Sequence, residues 1–353
     1  MKDWTELSAA SPGRLVYRPV PKRRLRPKEI LLEAVVSGVS RATELRRFSG
    51  QTNDCIWDES SSVYTEVPAR DRWPLKLGYE MVARAASCGA AVDPTILGRY
   101  VWTPLTHAEY HIADYNDVRV LPAFLNSKTP APELAKFTTV ARARVAMGAV
   151  HDSSMLLGDI VAVIGCGIVG LYVAQLAKQS GASQVFVIDA NAEPLEVARK
   201  MGLQGIHRDV SITPLSLKRQ INGLGPDKVF ECSGNYEGLG LALAIARKQG
   251  TVVCVGTYSG EAQGLRLGDE FGKNGLSIIS SMTINGCIPK GYPRWEKSRM
   301  EEYVIDLIAR DLLASGKLDT KLFPYSDAAR AYETAAEPVS ASTIIGLTYE
   351  LHR

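Results

Sequence analysis

The stretch "VAVIGCGIVGLYVAQLAKQSGASQVFVIDAN", Val161 to Asn191, decides how this chain folds. It opens on four apolar residues, Val161 to Ile164, breaks at Gly165, and continues with apolar residues at helical spacing. Gly165, Gly167 and Gly170 form G-x-G-x-x-G, with Ile168 and Val169 between the last two glycines. The first glycine permits a tight turn, the second lets a pyrophosphate approach the backbone, and the third lets helix and strand pack closely. The start of the helix offers free N–H groups and positive potential to phosphates. A second strand ends at Asp189, 19 residues beyond Gly170. A carboxylate there accepts hydrogen bonds from the adenosine ribose hydroxyls. It would repel a 2′-phosphate, and "DANAEP" offers no arginine just after it, so the expected cofactor is NAD rather than NADP.

The same rhythm of strand, turn and helix continues downstream through "KVFECSG" and "GTVVCVGTY", and "LSIISSMT" supplies one more strand. That alternation predicts a doubly wound parallel sheet. The carboxyl ends of its later strands place Ser233 and Gly234, then Gly256 and Thr257, on the nicotinamide side. Upstream, "RLVYRPV", "EILLEAVVSGV", "EMVARAASCG" and "RYVWTPL" read as short strands separated by Pro, Gly and Asp. "TPAPELAKFTTVARARVAMGAV" reads as a helix entered through Thr129, and "RMEEYVIDLIARDLLASG" as one that stops at Gly316. "TIIGLTYEL" closes the chain as a strand. The expected class is α/β, a β-rich domain (1–148) interrupted by a nucleotide-binding domain (149–288) and resumed over 289–353.

Composition narrows the partners. With 46% hydrophobic and 22% charged residues and a net charge of +3, the chain reads as an ordinary soluble protein without an electrostatic case for nucleic acid. The basic run "PKRRLRPK" reads as a solvated turn. No apolar run approaches the roughly 18 residues that a membrane span needs, and "MKDWTELSAASPGR" has no apolar signal core, so a cytoplasmic location is expected. The six cysteines form no CxxC pair and are expected to be reduced.

Beyond these local readings, the chain resembles the medium-chain dehydrogenase/reductase family, the zinc alcohol dehydrogenase relatives with a GroES-like catalytic domain. The resemblance rests on "LGYEMVARAASCGAAVDPTILGRYVW", "AMGAVHDSSMLLGDIVAVIGCGIVG" and "GKL…FPYSDAARAYETA", and covers nearly the whole chain. It implies a GroES-like β-rich domain beside a Rossmann domain, hydride transfer with a small-molecule substrate, and a homodimer or homotetramer. It also implies where zinc ligands would stand. They fall on Arg41 (or Ser40, one position earlier), Tyr79 and Ala141, none of which suits zinc. A zinc-free branch with no metal site is therefore expected.

Hydride transfer leaves charge on an oxygen that something must polarise or protonate. Tyr79 brings a phenol to a former ligand position, and Arg41 would stabilise an alkoxide beside it. Thr43 matches the proton-relaying hydroxyl of the zinc-bearing relatives, and Glu80 their supporting glutamate. His151 reads as an exposed surface histidine. "NGCIPKGYPRWEKSR", with Lys290, Tyr292, Arg294 and Trp295, reads as a surface loop, with contact to an anionic or sugar-like substrate as the other reading. Two other functions stay open: reduction of an activated C=C bond, as in enoyl or quinone reductases of the superfamily, and nucleotide binding without catalysis.

Overall fold

The computed structural model describes residues 4–51, 55–68, 72–209, 211–281, 295–337 and 341–350. They form two compact units, one from the stretches 1–139, 320–340 and 344–353, the other from 140–319 and 341–343.

In the first unit the chain runs through β1 (Trp4–Ser11), β2 (Arg14–Val20), β3 (Glu29–Val39), the short helix α1 (Thr43–Phe48), a hairpin of β4 (Cys55–Asp58) and β5 (Val63–Glu66), and β6 (Leu75–Lys76). It continues with β7 (Met81–Cys88), β8 (Tyr100–Thr103), β9 (Tyr110–Asp114), β10 (Arg119–Val120) and α2 (Ala131–Ala135). β3 is the axis of this unit. Its run "LLEAVVSGV" is buried on both faces, as befits a strand flanked on each edge. β7 lies antiparallel on one side, with Val36 opposite Val82 and Ala34 opposite Ala83. The later part of β3 meets β18 (Thr343–Thr348) on the other side, with Gly346 opposite Gly38. The sheet order is β10-β8-β7-β3-β18-β17, with β9 pairing to β3 and β17 spanning Asp319–Pro324. Gly38 is required where β3 passes Thr138, since a Cβ there would stand 2.8 Å from the threonine side chain.

The second unit begins with α3 (Val140–Asp152) and follows β11 (Ile160–Ile164), α4 (Ile168–Gln179), β12 (Gln184–Asp189), α5 (Ala192–Lys200), β13 (Gln204–His207) and α6 (Pro214–Ile221). After these come β14 (Lys228–Glu231), α7 (Tyr236–Ile245), β15 (Thr251–Cys254), α8 (Gly272–Asn274), β16 (Ser277–Ser280) and α9 (Lys297–Ala309). Six parallel strands lie in the order β13-β12-β11-β14-β15-β16, so the winding reverses between β11 and β14. Ligands of such sheets sit at that reversal, beyond the carboxyl ends of the strands. Ala162, Phe186, Ile188, Val229 and Val252 fill the core with the apolar face of α7, Leu239, Ala242 and Leu243.

Every strand quoted from the sequence is a strand here. β1, β9, β13, β17 and the β4–β5 hairpin were not expected; most are short or partly exposed, and carry little periodic signal. The helix entered at Thr129 is broken. A tight turn over Lys136–Thr139 separates α2 from α3, and the hydroxyls of Thr138 and Thr139 donate to carbonyls three residues back. The helix expected to reach Gly316 ends at Ala309. Asp311 takes φ +54°, and the chain folds back so that Leu313 is fully buried and Ala314 N–H donates to Gln175. The units divide at 139/140 because α3 packs along its length on α4 and α9. The sequence had put the divisions at 148/149 and 288/289, and the second lies outside the described residues.

Candidate functional site

The glycine loop can be taken one residue at a time. Gly165 has φ +97°, and a Cβ on it would stand 2.8 Å from the Ser233 nitrogen. A Cβ on Gly170 would lie 2.0 Å from the Gly165 carbonyl oxygen, which is how closely α4 sits on its strand. Gly167 is different. It caps α4 with ordinary backbone angles, and an added Cβ would meet only the Ala341 carbonyl, at 3.5 Å. Among the described residues nothing requires glycine there, and the space it keeps clear lies at a helix start with no side-chain cap and no acidic residue in its first turn. Ile168, Val169 and Gly170 supply the N–H groups of that first turn, which have no partner within the helix. Cys166 plays no part as a nucleophile. Its thiol donates to the Pro194 carbonyl, and burial together with Asp189 pushes its pKa up.

Asp189 ends β12 beside this loop. One carboxylate oxygen accepts the Cys166 N–H at 2.7 Å and the other the Asn191 N–H at 2.8 Å, which fixes the plane of the group while leaving lone pairs outward. The pairing of β12 with β13 also brings Arg208 to this end of the sheet. Its N–H donates to the Asp189 carbonyl, and its guanidinium stands 3.0 Å from Glu237. Arg208 is a cation that the sequence did not place there, because it follows Asp189 by a whole helix and strand.

The loops after β14 and β15 come together. A Cβ on Gly256 would stand 2.4 Å from Gly234, so backbone packs on backbone. Ser233 and Gly234 both point N–H groups at Glu231, the last residue of β14 and fully buried. Thr257 follows on the exposed side. An uncapped helix start, a cleared glycine, a carboxylate held by two N–H groups and two abutting loops thus stand together around the reversal point.

In the first unit, Arg41 lies in the turn between β3 and α1, Thr43 is the exposed first residue of α1, Tyr79 is half-buried and Glu80 is buried. The Gly38 N–H donates to the Glu80 carbonyl at 2.9 Å, which joins the "SGVSRATEL" and "GYE" segments. Beneath them lies a polar group that sequence reasoning missed. His107 is fully buried; its Nδ1 is 2.7 Å from the Ser37 hydroxyl and its Nε2 2.9 Å from Glu44. Glu44 also accepts the Ser40 N–H and the Tyr332 hydroxyl, while Ser37 bonds the Tyr349 hydroxyl at 2.8 Å. His107 touches both segments. Its N–H donates to the Leu77 carbonyl, and its ring lies where a Cβ on Gly78 would be. Burial alone would raise the Glu44 pKa, but His107 and the bonds from Ser40 and Tyr332 outweigh it and hold the carboxyl below its ordinary value. Burial and the Glu44 charge push the Tyr332 phenol well up.

At the positions that the resemblance gives to zinc ligands stand Arg41, Tyr79 and Ala141, a cation, a phenol and a methyl group. Among the described residues no group of three or more His, Cys, Asp or Glu is placed to hold a metal ion. His151 is exposed, with its ring 5.3 Å from Trp295. Trp295 itself packs under Arg299 and against Tyr303. Lys290, Tyr292 and Arg294 lie outside the described residues.

A β-rich unit interrupted by a parallel nucleotide-binding unit defines the architecture of the medium-chain alcohol dehydrogenases, and the comparisons agree. Residues 169–309 match the family model described as zinc-binding dehydrogenase. The chain is 31% identical over 194 residues to D-guloside 3-dehydrogenase of Escherichia coli K12, covering 54% of each chain. It thus spans about half the length of the curated relatives it matches. Among solved structures, a zinc-binding dehydrogenase fold from Sinorhizobium meliloti 1021, bound to NADP, superposes with a TM-score of 0.73 at 18% identity, covering 99% of this chain and 100% of that one. An alcohol dehydrogenase from E. coli CFT073, complexed with NADH, gives 0.74 at 16% identity with the same coverage. Among the described residues no helix is long and apolar enough to cross a membrane.

Proposed function

We propose that this protein is an NAD(H)-dependent, zinc-independent oxidoreductase that moves a hydride between the nicotinamide and the alcohol or carbonyl carbon of a polar small molecule. The observation that carries the reading is Gly167: a glycine that none of the described residues requires, at an uncapped helix start beside a fixed carboxylate. The likeness to D-guloside 3-dehydrogenase favours a sugar or polyol as substrate. Cytoplasmic location and a homodimer or homotetramer go with the family resemblance.

Bound, the nicotinamide supplies or accepts the hydride. The chain does the rest. The first turn of α4 holds the pyrophosphate with its N–H groups, and Asp189 accepts the ribose hydroxyls. Asp189 with its N–H donors satisfied is a full negative charge where NADP would carry another, which favours NAD. Tyr79 donates a proton to the substrate oxygen or takes one from it, Arg41 steadies the charge on that oxygen, and Thr43 passes the proton outward. Glu80 anchors the Tyr79 segment to β3 through its carbonyl.

Titration with NADH and NADPH, followed by oxidation assays on a panel of polyols and glycosides, tests this reading. NADH should bind at least about tenfold tighter, a difference of about 1.4 kcal/mol. Equal affinity for the two removes the role given to Asp189, and binding without turnover on the whole panel favours a nucleotide-binding protein that has lost its chemistry.

A further inference from the structure

The segment Val255–Gly260 leaves β15 without entering a helix, yet it is held at several points. The N–H groups of Val255 and Gly256 both donate to the Glu231 carbonyl at 2.9 Å. Tyr258 reaches back and donates its hydroxyl to Glu231 Oε2 at 2.6 Å. Its ring stacks on Tyr236, the first residue of α7, with centroids 5.2 Å apart and planes 22° from parallel. The Tyr236 hydroxyl in turn donates to the Gly260 carbonyl at 2.9 Å. Glu231 also takes the Ser233 and Gly234 N–H groups and the Ser233 hydroxyl, so one buried carboxylate ties both loops. Burial first, then the bond to Glu231, pushes the Tyr258 phenol far above its ordinary value, so it serves as a donor and not as a base.

A coil of this kind would ordinarily be ordered at the moment of binding, at a cost in affinity. Here it is ordered beforehand. We propose that Tyr258 is a positioning residue which, through Glu231 and Tyr236, holds Gly256 and Thr257 in place for the nicotinamide end of the dinucleotide while leaving the adenosine end untouched. The inference rests on the dinucleotide reading above and adds to it which residues set the nicotinamide subsite.

The asymmetry is the test. NADH and ADP-ribose share the adenosine, ribose and pyrophosphate, and differ in the nicotinamide. Calorimetric titration of the full chain with each probe should show Tyr258→Phe weakening NADH by about tenfold, the worth of one hydrogen bond to a charged group. ADP-ribose affinity should stay within about twofold, since none of its contacts involve Tyr258. Asp189→Ala should weaken both probes together. Unchanged NADH affinity in Tyr258→Phe overturns the proposal, and so does an equal loss for both probes, which would mark Tyr258 as a support of the whole unit. If Tyr258→Phe does not fold, Tyr236→Phe keeps the stacked ring, removes the bond to Gly260 and is judged by the same asymmetry. A parent protein that binds ADP-ribose but not NADH removes the nicotinamide reading and the proposal with it. A parent that binds NADH with no change in either variant removes the proposal alone.

Discussion

Gly167 shows how far a single residue can be read. Its neighbours Gly165 and Gly170 are explained by contacts inside the protein, so replacing either disturbs the fold. Gly167→Val should instead fill the phosphate space. Loss of NADH binding with a melting temperature changed by little is the expected outcome, measured by nucleotide fluorescence and thermal melting. Tyr79 is read from the opposite direction, from what the site lacks. If it handles the proton, Tyr79→Phe should lower the turnover number by roughly 10²–10⁴-fold, with NADH affinity nearly unchanged, because the cradle lies in the other unit. A phenylalanine variant that turns over like the parent would show that Tyr79 does not handle the proton. Glycines and the ribose carboxylate were legible because their spacing is local. His107 was not. Its partners Ser37, Glu44 and Tyr332 are scattered along the chain, and nothing in "PLTHAEYHIAD" distinguishes a buried histidine from an exposed one.

Elements that pack on both faces announce themselves by unbroken apolar runs, and β3, β11 and β12 were legible for that reason. β13 and β17 are not, since exposed and polar residues interrupt them. The link between α1 and its surroundings is a buried polar one, and this makes it sensitive to substitution and to acid. His107→Leu would leave Glu44, 3% exposed, and the Ser37 hydroxyl each short of a buried hydrogen-bond partner, a loss of about 1–3 kcal/mol for a buried polar group left unsatisfied. Urea unfolding midpoints check this. The sign of the pH effect within the core follows from two buried groups with depressed pKa values. His111, whose imidazole is kept neutral by burial, takes up a proton more readily when unfolded, so stability falls as pH drops below its ordinary 6.5. Glu44 lies below its ordinary 4.5, so its contribution is whole above that value and is lost as pH falls further, through its folded-state pKa. Two stages of acid weakening are expected, and Glu44→Gln should lessen the lower one, to which the exposed, hydrogen-bonded carboxylates Glu29, Asp58, Asp93 and Asp209 also contribute, while leaving the upper.

For the whole molecule, the two-unit plan was legible because the rhythm of apolar runs changes near Asp159, whereas the boundaries were not, because α3 carries no sign of which unit it joins. The metal question also belongs at this scale, since the three positions that zinc would need come from separate parts of the chain. Purified protein should carry well under one zinc per chain by metal analysis, and EDTA should leave its activity intact. Stoichiometric zinc would show that residues other than Arg41, Tyr79 and Ala141 provide ligands.

The strand β18 carries one more consequence. It is the last strand among the described residues, yet it lies inside the sheet, between β3 and β17. A ribosome must therefore translate through Thr348 before the later part of β3, Val36–Val39, made more than three hundred codons earlier, gains its partner on the edge away from β7. The nucleotide-binding strands are complete well before that moment, and can settle while the nascent first unit still shows an open sheet edge. Unpaired edges of this kind recruit other chains. A message truncated just before Thr343 should thus yield a product that still retains NADH-binding strands but aggregates, and its danger to the cell would lie in that waiting edge rather than in lost activity.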